Sequence, residues 1–118
     1  MIELLLPLAF MQAAPAAEPA PAVALTLDQQ AALRCSAAFA IVSAGQDRGD
    51  ADALAYPALG TRGREFFVRS MARIMDDTGL DREQIGRLAG AQAQELRDRG
   101  TISDAMPACL LMLDASGL

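Results

Sequence analysis

The chain predicts an all-α fold, a small four-helix bundle-like domain behind an N-terminal signal segment and a Pro/Ala linker. Three observations predict it. The apolar residues are dominated by Ala, Leu, Ile and Met, with four Phe, one Tyr and no Trp. That palette packs helices closely and lacks the aromatic and β-branched side chains that strands favour. Apolar residues recur at steps of three and four through four segments. Each segment also carries its own start or stop signal. At 118 residues and 53% hydrophobic, the chain has room for one domain and is too apolar for a disordered tail.

Residues 1–16 read as a signal segment. Leu4 to Met11 is a short apolar run, and Ala14-Pro15-Ala16 fits the small-x-small pattern before a cleavage point. The run falls short of the ~20 apolar residues that a membrane span needs. Glu3 stands where a signal peptide carries Lys or Arg, so a buried N-terminal helix of a cytosolic protein is the competing reading. Residues 17–25 form a linker, because Pro19 and Pro21 oppose helix and favour an extended, solvated chain. The domain then spans residues 26–116. A lipid anchor at Cys35 is not expected, since Arg34 occupies the place of a small residue.

The first helix starts at Thr26, with Gln29 completing a capping box, and is expected to run to Ala44 with Gly45 as its stop. Between Ala31 and Ala44 only Arg34, Ser36 and Ser43 are polar. A helix apolar on nearly all sides belongs in the centre of the domain. Gln46–Asp52 reads as a polar loop, and its Arg48-Gly49-Asp50 reads as turn chemistry in preference to an adhesion motif. A helical turn is expected at Ala53–Ala55, before Tyr56-Pro57.

The second long helix is expected from Arg64 to Thr78, stopped by Gly79, with Phe66, Phe67, Met71, Ile74 and Met75 as its buried stripe. Glu65–Arg69 and Arg73–Asp77 are i,i+4 pairs on the other side. Arg62, Arg64, Arg69 and Arg73 read as a solvated face, with an anion-binding cluster as the alternative. The third helix begins at Asp81 with Gln84 three residues on, presents Ile85, Leu88, Ala89, Gln92 and Leu96, and ends at Gly100. Gly86 and Gly90 would let another helix approach closely. The fourth helix is capped by Thr101 or Ser103, carries Ile102, Ala105, Met106, Cys109 and Leu113 inward, and tolerates Pro107 near its first turn. Asp114–Leu118 is expected to fray.

Cys35 and Cys109 fall on the apolar sides of the first and last helices. In an oxidising compartment they have one intramolecular pairing, a structural disulfide; in the cytosol they would be two buried, inert thiols. The periplasm or the exterior is therefore the expected location.

Composition also bounds the chemistry. All ten basic residues are Arg, and the net charge is −5. An acidic chain with interspersed charges argues against nucleic acid as a partner. There is no His, so the usual serine or cysteine triads lack their base. The two cysteines are not spaced as zinc ligands, and Gly60-Thr61-Arg62-Gly63-Arg64 lacks the Lys of a phosphate loop. No catalytic, metal or cofactor residue is assigned, no cofactor is expected, and no stable membrane anchor is expected. A binding or interaction module is the function class left standing. A stress chaperone is the alternative, suggested by Met71, Met75, Met106 and Met112, and a small enzyme is a distant third.

The runs Leu33-Arg-Cys-Ser-Ala-Ala-Phe-Ala, Gly63-Arg-Glu-Phe-Phe and Met106-Pro-Ala-Cys-Leu together resemble small exported two-cysteine helical proteins of alphaproteobacteria that remain uncharacterised. The resemblance covers residues 27–113 and implies a fold and no activity. In architecture alone the chain is similar to periplasmic acid-stress chaperones, whose Lys-rich composition it lacks.

Overall fold

The computed structural model describes residues 24–118. The expected signal segment 1–16 and linker residues 17–23 lie outside the described residues. The fold is all-helical: α1 (Leu27–Arg48), the single turn α2 (Ala51–Leu54), α3 (Arg62–Thr78), α4 (Arg82–Arg99) and α5 (Ile102–Ala115).

The capping chemistry read from the sequence starts two of these helices. The Thr26 hydroxyl accepts from the Gln29 N–H at 3.1 Å, and Gln29 Oε1 accepts from the Thr26 N–H at 2.9 Å. Asp81 and Gln84 repeat the exchange at the start of α4, at 2.8 and 2.9 Å. Each box satisfies two backbone donors that the first turn leaves free. Gly79 and Gly100 close α3 and α4 in the left-handed region, at φ 76° and 61°.

The end of α1 differs from expectation. Gly45 does not stop it; the helix continues to Arg48, and Gly49 terminates it at φ 78°. Gly45 is buried instead, and a Cβ built there would lie 2.8 Å from the Cβ of Ala53. The glycine is needed because α2 folds back against the last turns of α1 and leaves no room for a side chain. Gln46–Arg48 is therefore helix, and the expected loop shrinks to Gly49-Asp50. Arg48 pairs with Asp50 at 2.9 Å across that turn.

Both ends of the packed unit extend past 26–116. Leu25 is half-buried beside α1 and α3 rather than solvated linker, and its carbonyl accepts from Gln30 Nε2 at 2.9 Å. At the other end the residues after Leu113 do not fray. Arg62, in the first turn of α3, donates from Nε and Nη2 to the Leu118 carbonyl oxygen at 2.9 and 2.7 Å, and to Asp114 Oδ1 at 3.0 Å. Arg69 Nη1 donates to the Ser116 carbonyl at 3.4 Å. Pro107 sits in the second turn of α5, deeper than expected, on an exposed side where the carbonyl it leaves unpaired can meet water.

α1 packs against each of the other four helices, as its apolar circumference predicts. The buried side chains divide into two clusters. The larger surrounds Cys35, Phe39, Leu59, Phe66, Met106 and Cys109; Phe39 and Phe66 meet edge to face with centroids 5.3 Å apart, a favoured aromatic geometry. The smaller joins Leu33 of α1 to Met71 and Ile74 of α3 and to Ile85 and Ala89 of α4.

Candidate functional site

The predicted site pair is brought together. Cys35 on α1 and Cys109 on α5 are joined as a disulfide, with Cα atoms 5.1 Å apart and 74 positions apart in sequence. Both are buried in the larger cluster, at 2% and 0% exposure, so a reductant in solution has no direct path to either sulfur. Closing a loop of that length removes conformational freedom from the unfolded chain, a stabilisation of roughly 4 kcal/mol in the chain-entropy model. The adjoining Ser36 is also fully buried, and its hydroxyl has no hydrogen-bond partner among the described residues.

Two of the four α3 arginines, expected on a solvated face, make contacts within the fold. Arg62 and Arg69 turn to the carbonyls of Leu118 and Ser116, and neither the Glu65–Arg69 nor the Arg73–Asp77 pair forms among the described ion pairs. Of the methionines, Met71 and Met106 are core, while Met75 and Met112 are partly covered. Among the described residues no second helix packs on Gly86 or Gly90: both are exposed, and a Cβ at either meets nothing within 4 Å.

Two open grooves flank the C-terminal half of α4, and Leu96 lines both. One, of about 520 Å³, runs between α1 and α5 over Leu27, Ala31 and Ala108, with Arg34, Glu95 and Arg99 along its rim. Arg99 leans on Glu95 at 3.5 Å, so the rim is largely self-neutralised. The other, of about 880 Å³, lies between α2 and the α4–α5 turn over Ile41, Tyr56 and Ile102, beside Arg97 and Asp52. Among the described residues, no three His, Cys, Asp or Glu side chains gather to hold a metal ion. No described helix is long and apolar enough to cross a membrane.

Gln46 is the residue the sequence hides. Its Nε2 donates to the carbonyls of Ala53, Tyr56 and Pro57 at 3.1, 3.3 and 2.9 Å, and its Oε1 accepts from the Leu59 N–H at 3.0 Å. One amide thereby folds the α2–α3 connection and drives Leu59 into the core. Its position in an apparent polar loop gave no signal of this. Compared with family models, with curated proteins and with solved structures, the chain has no match in any of the three.

Proposed function

We propose that this is an exported, non-enzymatic helical module, working in the periplasm or outside the cell, that acts by binding another protein. The observation that carries the reading is the buried Cys35–Cys109 pair, which ties the central helix to the last one. Such bonds form and persist in oxidising compartments. The apolar run Leu4–Met11 followed by Ala14-Pro15-Ala16 supports the same compartment. The rest is chemical: a chain without His has no ordinary base for nucleophilic catalysis, while shallow grooves with apolar floors suit contact with a partner. The test is intact-mass measurement of the protein from its native cell. A mass lacking residues 1–16 and two hydrogens short of the dithiol is expected. A full-length chain with two free thiols would overturn the proposal.

A second reading, an envelope-stress chaperone, is favoured by one specific feature. Around Met71 the smaller cluster leaves Phe67, Met75, Leu80 and Leu88 only partly covered, and flexible Met-rich surfaces adapt to many partners. Suppressed aggregation of reduced lysozyme at stoichiometric protein is the expected result; no protection at any pH tested removes this reading.

A further inference from the structure

The smaller cluster sits on a hairpin whose two ends are anchored elsewhere. Phe66 of α3 and Leu96 of α4 both belong to the disulfide-bearing cluster, whereas the buried residues between them, Met71, Ile74, Ile85 and Ala89, belong to the smaller one. Of α1, only Leu33 is a buried member there. No disulfide reaches the hairpin, and its central turn is closed by local contacts: Gly79, the Thr78 hydroxyl that accepts from the Leu80 N–H at 3.2 Å, and the Asp81–Gln84 capping box.

The glycines of α4 add an independent observation. Gly86 and Gly90 lie in a helix interior, have ordinary helical φ, and face open space. Neither position needs glycine for a turn or for close packing. Each costs the helix about a factor of five in local equilibrium relative to Ala, with no packing gain in return. Gly86 follows Ile85 and Gly90 follows Ala89, the two buried residues that α4 gives to this cluster.

We infer that the α3–α4 hairpin opens as a cooperative unit while the disulfide-bonded remainder stays folded, and that it uncovers the apolar surface formed by Leu33, Phe67, Met71, Met75, Ile85 and Leu88. The purpose of that surface rests on the chaperone reading above; the opening does not. Local openings of this kind follow supersecondary units with little apolar burial.

Native-state hydrogen exchange on the full chain with its disulfide intact tests the opening. Amides of Met71–Met75 and Leu88–Gln92 are expected to be about tenfold or more less protected than those of Ala37–Ile41 and Cys109–Leu113. Gly86→Ala and Gly90→Ala, which fit without clash, are each expected to raise hairpin protection about fivefold, whereas Gln46→Ala, outside the hairpin, is expected to lower the protection of Ala37–Ile41 and leave that of the hairpin unchanged. Equal protection in both halves, or a hairpin that loses protection along with Ala37–Ile41 in Gln46→Ala, would overturn the inference. If the hairpin opens but neither the parent nor the Gly→Ala variants alter lysozyme aggregation, the chaperone reading fails and the opening stands.

Discussion

Both apolar clusters draw on α1, α3 and α4, yet they are held by different means. The larger has a disulfide, an aromatic pair, the Gln46 amide and the Arg62 contacts to the C-terminal turn. Each joins residues far apart in sequence, so each constrains the unfolded chain or satisfies a backbone group that would otherwise be stranded. The smaller has side-chain packing, the Asp81–Gln84 capping box and the short-range bonds of Thr78 and Gln30, which are local and weak by comparison. The lesson is that stability in this chain follows long-range, directional contacts, and that apolar patterning by itself yields the half that is easier to open.

Removing the disulfide attacks this difference most strongly. Cys35→Ala with Cys109→Ala is expected to lower unfolding free energy by about 4 kcal/mol, within a usual range of roughly 2–5, as read from urea denaturation. Because the bond acts on the whole unfolded chain, global unfolding should fall towards the hairpin's own opening energy. Exchange in the two halves should then converge. A double variant with a persistent gap would mean that the larger cluster owes its advantage to packing and not to the bond.

Gln46→Ala is expected to follow, at about 2–3 kcal/mol, since the Ala53, Tyr56 and Pro57 carbonyls and the Leu59 N–H lose their partner together. Gln46→Glu should do no better despite its shape, because it turns a carboxylate oxygen towards three carbonyl oxygens. Wild-type stability in Gln46→Ala, measured in urea, would show that water replaces the amide and that this region is less directed than its geometry suggests.

What the sequence disclosed divides along the same line. Thr26 with Gln29 and Asp81 with Gln84 were legible because capping is settled within four residues. Gly79 and Gly100 were legible as stops for the same reason. Gly45 was misread: a glycine after an apolar helix signals a stop equally well as a close crossing, and only Ala53, brought back by α2, decides between them. Gln46 and Arg62 were opaque because their partners depend on the finished fold, across 13 and 56 residues at the longest. Cys35 and Cys109 were the exception, since a chain with two cysteines allows one pairing. The candidate site was legible only to that extent; the grooves beside Leu96 form where α1, α4 and α5 meet, and no local pattern encodes them.

Ser36→Ala is expected to raise stability by about 1 kcal/mol. Its hydroxyl is fully buried without a partner, so the folded state bears a desolvation cost that Ala removes. Ala is also the better helix former. The change belongs to α1 beside the disulfide, and thermal melting or urea denaturation should register it. A loss of stability on substitution would mean that the hydroxyl is solvated by a buried water or bonds a carbonyl of its own helix.

The smallest expected effects discriminate most finely. Glu83–Arg87 and Glu95–Arg99 are matched i,i+4 pairs on α4, at 3.6 and 3.5 Å and mostly exposed. Each contributes under about 0.5 kcal/mol after solvent screening. Glu83→Gln touches the hairpin; Glu95→Gln lies beside Leu96, where α4 rejoins the disulfide-bonded half. If the hairpin opens by itself, Glu83→Gln should lower protection around Leu88 and the global stability together, because the pair is broken in the open form and in the unfolded chain alike. Glu95→Gln should instead shift the global transition slightly and leave the hairpin's opening as it was. Two substitutions of the same chemistry, on one helix and only twelve positions apart, would then report on different equilibria. If they behave alike, α4 opens and closes as one piece and the boundary at Leu96 is not a boundary.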